Sequence, residues 1–120
     1  MAKAANFTVI FDKGRTTRDH LKGITFNIPQ SCDLDEQSIL MFMVEEALSD
    51  SGRLEIVINE LILYKKGLSE DPTYYSAHEV LPAKALRHGE NSISFRVKSD
   101  EETYVFLRIS DVVLWWQENV

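Results

Sequence analysis

The side chains able to do chemistry in this sequence fall into a few groups, and the spacing within each decides what that chemistry is. Asp33, Asp35 and Glu36 stand together in "CDLDEQ", an oxygen-rich set of the kind that suits calcium. No glycine supplies a sharp turn there and no loop of calcium-site length follows, so Asp33 serves equally well to cap a turn. A structural calcium is not favoured, and no other cofactor is implied. Cys32 precedes the same acids, whose charge raises a thiol pKa rather than lowering it. His20, His78 and His88 are scattered along the chain. There is no nucleophile elbow, phosphate loop or metal-binding histidine pair, and the 19 acids offer only coincidental carboxylate pairs. The chain is not expected to be an enzyme.

The aromatics carry more information. Tyr74-Tyr75 lies in "EDPTYYSAHE" and Trp115-Trp116 near the C-terminus. Sugar binding needs flat aromatics for the apolar ring faces and planar polar groups for the hydroxyls. Adjacent residues of a strand point to opposite faces, so one member of each pair belongs to a core and the other lies outside it. Two adjacent tryptophans do not fit into one core layer. One is therefore expected at a surface, an interface or a groove, with Tyr74 or Tyr75 as its neighbour and His78 on the face of a nearby strand. The preferred function is a non-catalytic carbohydrate- or glycan-binding module, and the alternative is a structural or assembly subunit that uses the exposed aromatic as an interface. The partner is a carbohydrate or a protein, a homo-oligomer among the latter.

Composition narrows the setting. The 120 residues are 44% hydrophobic and 27% charged, as in a soluble globular domain, and that length suits one domain with a core of its own. The net charge of −6 argues against nucleic acid, since phosphate contacts need clustered Lys and Arg. The local exception, "DKGRTTRDHLKG", reads as a solvated loop diluted by Asp12 and Asp19. No apolar run approaches a membrane span, and "MAKAANFTVIF" is too β-branched for a signal peptide. With a single cysteine and therefore no internal disulfide, a cytoplasmic location is expected.

The elements that must position the aromatics are strands. Ile24, Phe26 and Ile28 alternate with polar residues, as do Ile93, Phe95 and Val97, while Leu54, Ile56 and Ile58 alternate with Glu55, Val57 and Asn59. "NFTVIF" is β-branched and aromatic, as strands prefer. "TYVFLRISDVVLWWQ" is apolar on both parities, which predicts a strand buried on both faces, interrupted at Ser110-Asp111 by a bulge or bend. Residues 35–48 contain good helix formers, yet the run from Ile39 to Val44 is continuously apolar with no stripe of period 3.6. A strand buried on both sides is preferred over a helix there. Pro82 suits the first turn of a helix and Gly89 its left-handed end, so a short helical turn is expected near residues 82–87, with Leu86 folded back over the core. Strands near 6–11, 22–29, 38–45, 53–59, 61–65, 73–80, 91–98 and 103–116 give an all-β, two-sheet antiparallel β-sandwich.

"LEIVINELIL…SAHEVLPAKALRHGENSISFRV" resembles the galactose-binding-like jelly roll, including the sugar-binding domain of β-galactosidase- and β-glucuronidase-type glycoside hydrolases. Asn59 at the end of "IVIN" is similar to the family's hairpin turn, although Glu60 stands where glycine is usual. Pro82, Leu86, Gly89 and Asn91 are similar to its second structural turn. The resemblance covers residues 53–97 well and the remainder only by pattern. It implies the fold and, through the family's sugar-binding members, a carbohydrate ligand. The matching residues are turn formers and not sugar contacts.

Overall fold

The computed structural model describes residues 2–17, 20–48, 52–67, 73–99 and 105–119. Among them lie nine strands and no helix: β1 (Lys3–Phe11), β2 (Arg15–Thr17), β3 (His20–Ile28), β4 (Ser38–Leu48), β5 (Gly52–Ile58), β6 (Leu61–Gly67), β7 (Thr73–Leu81), β8 (Gly89–Ser99) and β9 (Val105–Asn119). Residues 38–48 are thus strand throughout. The stretch expected as a solvated loop contains β2, which pairs with β9, and the start of β3.

The pairings are nested. β5 pairs with β6, β4 with β7, β3 with β8 and β1 with β9, each pair antiparallel and each enclosing the one before. Rolled up, this long hairpin brings β9 beside β4 and β8 beside β5. The result is one sheet in the order β1-β9-β4-β7, with β2 also on β9, and a second in the order β3-β8-β5-β6. That is the two-sheet sandwich of a jelly roll, as the resemblance implies.

Period-two patterning builds the core between the sheets. Leu40, Phe42 and Val44 of β4 and Leu107, Ile109, Val112, Leu114 and Trp116 of β9 meet Leu54, Ile56 and Ile58 of β5 and Ile93, Phe95 and Val97 of β8. Phe95 packs edge-on to both Phe42 and Phe11, at centroid distances of 5.5 and 6.4 Å. Along β9 the inward residues are odd-numbered up to Ile109 and even-numbered from Val112. The switch is a bulge: Met41 pairs with Val113 but Met43 with Ser110, and Asp111 sits at φ 52°. The expected interruption is therefore a bulge inside one continuous strand.

The turns correct one expectation and support two. Residues 82–87 form no helix. The Ala85 amide donates to the Pro82 carbonyl at 3.2 Å, and Lys84 at the third position has φ 67°, the left-handed residue of a type II turn. Pro82 stands at the first position of that turn, outside its two central residues, where its fixed φ is equally compatible with a helix start. Leu86 is buried as expected. Gly89 has φ 85°. Asn59 and Glu60 have φ 47° and 76°, so the β5–β6 hairpin takes the type I′ geometry even with glutamate at the position that favours glycine.

What holds this end together is a pair of amides. Asn91, fully buried, accepts from the Arg87 amide at 2.9 Å and from Asn59 Nδ2 at 2.8 Å, and donates to the carbonyls of Arg87 and Gly89 at 2.8 and 3.0 Å. Asn59 in turn donates to the Ala85 carbonyl and accepts from the Ser92 amide and Arg87 Nη2. Both side chains use all of their hydrogen-bonding capacity.

Three tests follow from this packing. Asn91→Ala strands buried donors and is expected to lower unfolding free energy by about 2 kcal/mol or more, read by denaturant titration. Gly89→Ala meets no neighbour but forces a Cβ into the left-handed region, at about 1 kcal/mol. Glu79 shares the inward side of edge strand β7 with Ala77 and Leu81, and burial pushes its carboxyl above the usual range. An acid whose folded pKa is raised loses stability as pH climbs from its unfolded value through its folded one. Glu79→Gln is expected to raise the Tm at neutral pH and to flatten its pH dependence in the acid range.

Candidate functional site

The two sandwich faces that point away from the core are opposite in character. On β5 and β8 the outward residues are mostly polar: Glu55 is buried there and accepts a 3.0 Å hydrogen bond from Arg96 Nη2, and Ser92 and Ser94 share the face by alternation with Ile93 and Phe95, while Val57 pairs with the exposed Ile62 of β6 as a smaller apolar spot. On the β1-β9-β4-β7 sheet the outward residues are apolar. Phe7, Trp115, Ile39 and Val80 stand directly opposite one another across its four strands, and Val9, Val113, Met41 and His78 form the next row. Phe7 and Val9 are each 52% exposed, Val80 58%, Ile39 42% and Trp115 39%.

This overturns the expectation that β4 and β9 are buried on both faces. Leu40, Phe42 and Val44 are buried, while Ile39, Met41 and Met43 line an open surface. The double-sided apolar pattern is real; only one side of it is covered among the described residues.

Relief is supplied by Trp115. Its ring lies against Phe7 with centroids 5.1 Å apart and planes at 42°. Toward β7 the surface falls into two hollows that share Met41, His78 and Trp115. One, of about 320 Å³, is completed by Ala5, Gln37, Ser38, Ile39, Trp116 and Gln117. The other, of about 230 Å³, is completed by Phe42, Met43, Ser76, Ala77, Asp111 and Val113. The polar residues of this lining are His78, shared by both hollows, with Gln37, Ser38 and Gln117 in the first and Ser76 and Asp111 in the second. Where the sheet continues, Thr16, Arg108, Glu45 and Tyr74 form a further row, in which Arg108 Nη1 lies 3.8 Å from Glu45 Oε2.

The tryptophans divide as expected. Trp116 is buried at 4% exposure and its Nε1 donates to Thr8 Oγ1 at 3.1 Å. Trp115 is the outward one, and His78 joins it. The tyrosines do not. Tyr74 is exposed but lies in the Glu45 row, and Tyr75 turns inward to pack on the core. Phe7, absent from the sequence-based candidates, takes the place expected of a tyrosine. The signal for it was the second parity of "NFTVIF", where Phe7 and Val9 alternate with Thr8 and Ile10.

The acidic group is engaged internally. Lys3 Nζ bonds the Asp33 carboxylate and lies 2.8 Å from Glu36 Oε1, while Asp33 Oδ1 accepts the Asp35 amide at 3.0 Å, the turn-capping role. Lys3 holds the Asp33 carboxyl below the usual range. An ammonium thus stands among these carboxylates. Cys32 is buried, and desolvation, then the Asp33 charge, push its thiol up; His88 Nε2 is 2.9 Å from the Cys32 carbonyl.

No protein-family model matches this chain, and no curated protein matches it in sequence. Solved structures do match in shape. Dimeric latent PorU from Porphyromonas gingivalis superposes with a TM-score of 0.70 at 7% identity, over 98% of this chain and 13% of that one. The CBM36-1 domain of a multidomain xylanase from the Trinervitermes trinervoides hindgut metagenome gives 0.44 at 11% identity, over 95% and 96%. The Podospora anserina GH26-CBM35 β-(1,4)-mannanase gives 0.41 at 14% identity, over 97% and 28%. The chain spans about an eighth of the PorU chain it matches. At these identities the likeness is one of fold, the β-sandwich.

Proposed function

We infer that this chain is a non-catalytic docking module that works through the outer face of the β1-β9-β4-β7 sheet. The observation that carries this reading is the pair of apolar rows led by Phe7, Trp115, Ile39 and Val80. A sheet whose strands are apolar on both parities is ordinarily covered on both faces. A continuous apolar surface of this kind marks an interaction site. Most of its residues are branched or flexible aliphatics, which pack against protein and offer a sugar no flat ring.

A carbohydrate ligand is the second reading, and a specific arrangement favours it. Trp115 presents an exposed ring beside the His78 imidazole and the Gln37 and Gln117 amides, the combination of platform and planar hydrogen-bonding groups that a sugar needs. That site uses the middle of the face and leaves Val9 and Val80 idle.

The idle residues separate the two. A benzophenone side chain in place of Val80 is expected to form a protein adduct in cells under illumination, and one in place of Ser92, on the opposite face, to form none. A glycan array is expected to show no Trp115-dependent binding. Glycan retention that Trp115→Ala abolishes, with no adduct at position 80, would establish the carbohydrate reading instead. In either case Trp115→Ala is expected to leave the Tm nearly unchanged, whereas Trp116→Ala costs about 3–5 kcal/mol as a core truncation.

A further inference from the structure

We propose that the occupant of this face is a second copy of the same chain, related by a twofold axis that runs parallel to the strands between β9 and β4. The proposal rests on the docking reading and names its partner.

Relief comes first. The β1/β9 half carries a ridge, Phe7 against Trp115. The hollows begin at Trp115 and run across β9 and β4 to His78 of β7, with Ile39 and Met41 lining the larger one and Met41 and Met43 the smaller. A twofold axis along the strands exchanges these halves. Each ridge then lies over the β4/β7 half of the other copy, with Phe7 above Val80 and Trp115 above Ile39. The contact is isologous and closes at two copies.

Sheet geometry agrees. Two sheets of the same twist pack face to face with their strands within about 30° of one another, and a copy of this sheet has that twist by construction. Four strands about 4.8 Å apart and some five alternate positions along each give a footprint on the order of 600 Å². A standard interface covers roughly 800 Å² on each partner, so the dimer is of modest affinity.

Charge completes the argument. The chain carries −6, yet the two central rows contain no carboxylate, guanidinium or ammonium, and the Arg108–Glu45 pair at their margin is internally matched. The Asp111 carboxylate at the β9 bulge lines one hollow and is the single charge beside these rows among the described residues that line the hollows, so the centre of the face offers a cationic partner little to grip. What opposes self-association is repulsion between net charges elsewhere on the two copies, which salt screens.

The experiment is sedimentation velocity from 1 to 300 μM, at low and high salt, beside the mass of the adduct formed from position 80. The expected result is a concentration-dependent dimer with a midpoint on the order of 10–100 μM, strengthened by salt, and an adduct of twice the chain mass. Phe7→Glu and Val80→Lys, both at exposed positions, are each expected to weaken it at least tenfold while keeping the wild-type Tm. Mixing the two variants restores association, because one of the two contacts then sets Glu against Lys. A dimer indifferent to both substitutions overturns the proposal, as does a monomer at all concentrations. If that monomer still yields an adduct of another mass from position 80, only the second copy is refuted. If it yields none, the docking reading fails as well.

Discussion

The bulge at Ser110-Asp111 is the constraint through which the remainder of the molecule is arranged. β9 is the strand that β1, β2 and β4 all use, so its facing decides theirs. Without the extra residue, the period of two that buries Leu107 and Ile109 would send Val113 and Trp115 inward and leave Val112, Leu114 and Trp116 outside. With Asp111 in the left-handed region the parity switches, and both halves of the strand feed one core. β1 answers in step: Val9 pairs with Val113 but Phe11 with Val112, so Ile10 is the added residue and Phe11 is turned into the core. Aspartate tolerates this backbone better than most residues, and its amide is satisfied by the Asp12 carbonyl at 3.1 Å. The outward placement of Trp115 is therefore a consequence of backbone geometry four residues away from it.

At the β5–β6 end the same kind of problem is solved by side chains. The hairpin and the β7–β8 connection lie far apart in sequence, and neither turn fixes the other's position by itself. The Asn59 and Asn91 amides join them, and because both are fully satisfied the buried polar groups specify one arrangement rather than penalising it. That junction sets Ser92 against Asn59 and so fixes the register that puts Ile93 and Phe95 into the core. It also compensates for Glu60, whose Cβ is unfavourable in its left-handed conformation.

This division explains what could be read from the sequence. Alternation at Ile24–Ile28 and Ile93–Val97 needs only neighbours one and two residues away, and those strands lie where the pattern puts them. The Gly-Glu-Asn turn was legible because glycine reports its own φ. Pro82 is not decisive, since at the first position of a turn its fixed φ leaves the following residues free to enter a helix or a turn, and only the left-handed Lys84 distinguishes them. The split of the tryptophans followed from strand geometry. Which aromatic lies beside Trp115 did not, because that depends on the register between β1 and β9, strands separated by nearly the whole chain. Phe7 was hidden for that reason. Continuous apolarity in β4 marks two apolar faces, but it predicts burial of both, and a sequence does not say whether the second is covered by its own chain.

That last point bears on how the module is used. A solvent-facing sheet lowers its free energy with polar outward residues, and the β3-β8-β5-β6 sheet does so over β8 and the middle of β5 with serines and the Glu55–Arg96 pair, leaving exposed apolar residues at the β6 edge. The other sheet has the same option at Ile39, Val80, Phe7 and Val9, none of which contributes to the core, and takes the costly alternative at each. Folding this sandwich does not require it, since the inward residues already fill the space between the sheets. The edges carry the opposite signature: Glu79 on the inward side of β7 is the kind of charge that discourages strand-to-strand addition. An open apolar face beside a guarded edge directs association to the face. Strand addition would extend the sheet through backbone hydrogen bonds indifferent to sequence, whereas face packing depends on which side chains meet. The distribution of charge and apolar surface thus selects a contact made by side chains, with Trp115 and Phe7 as its relief.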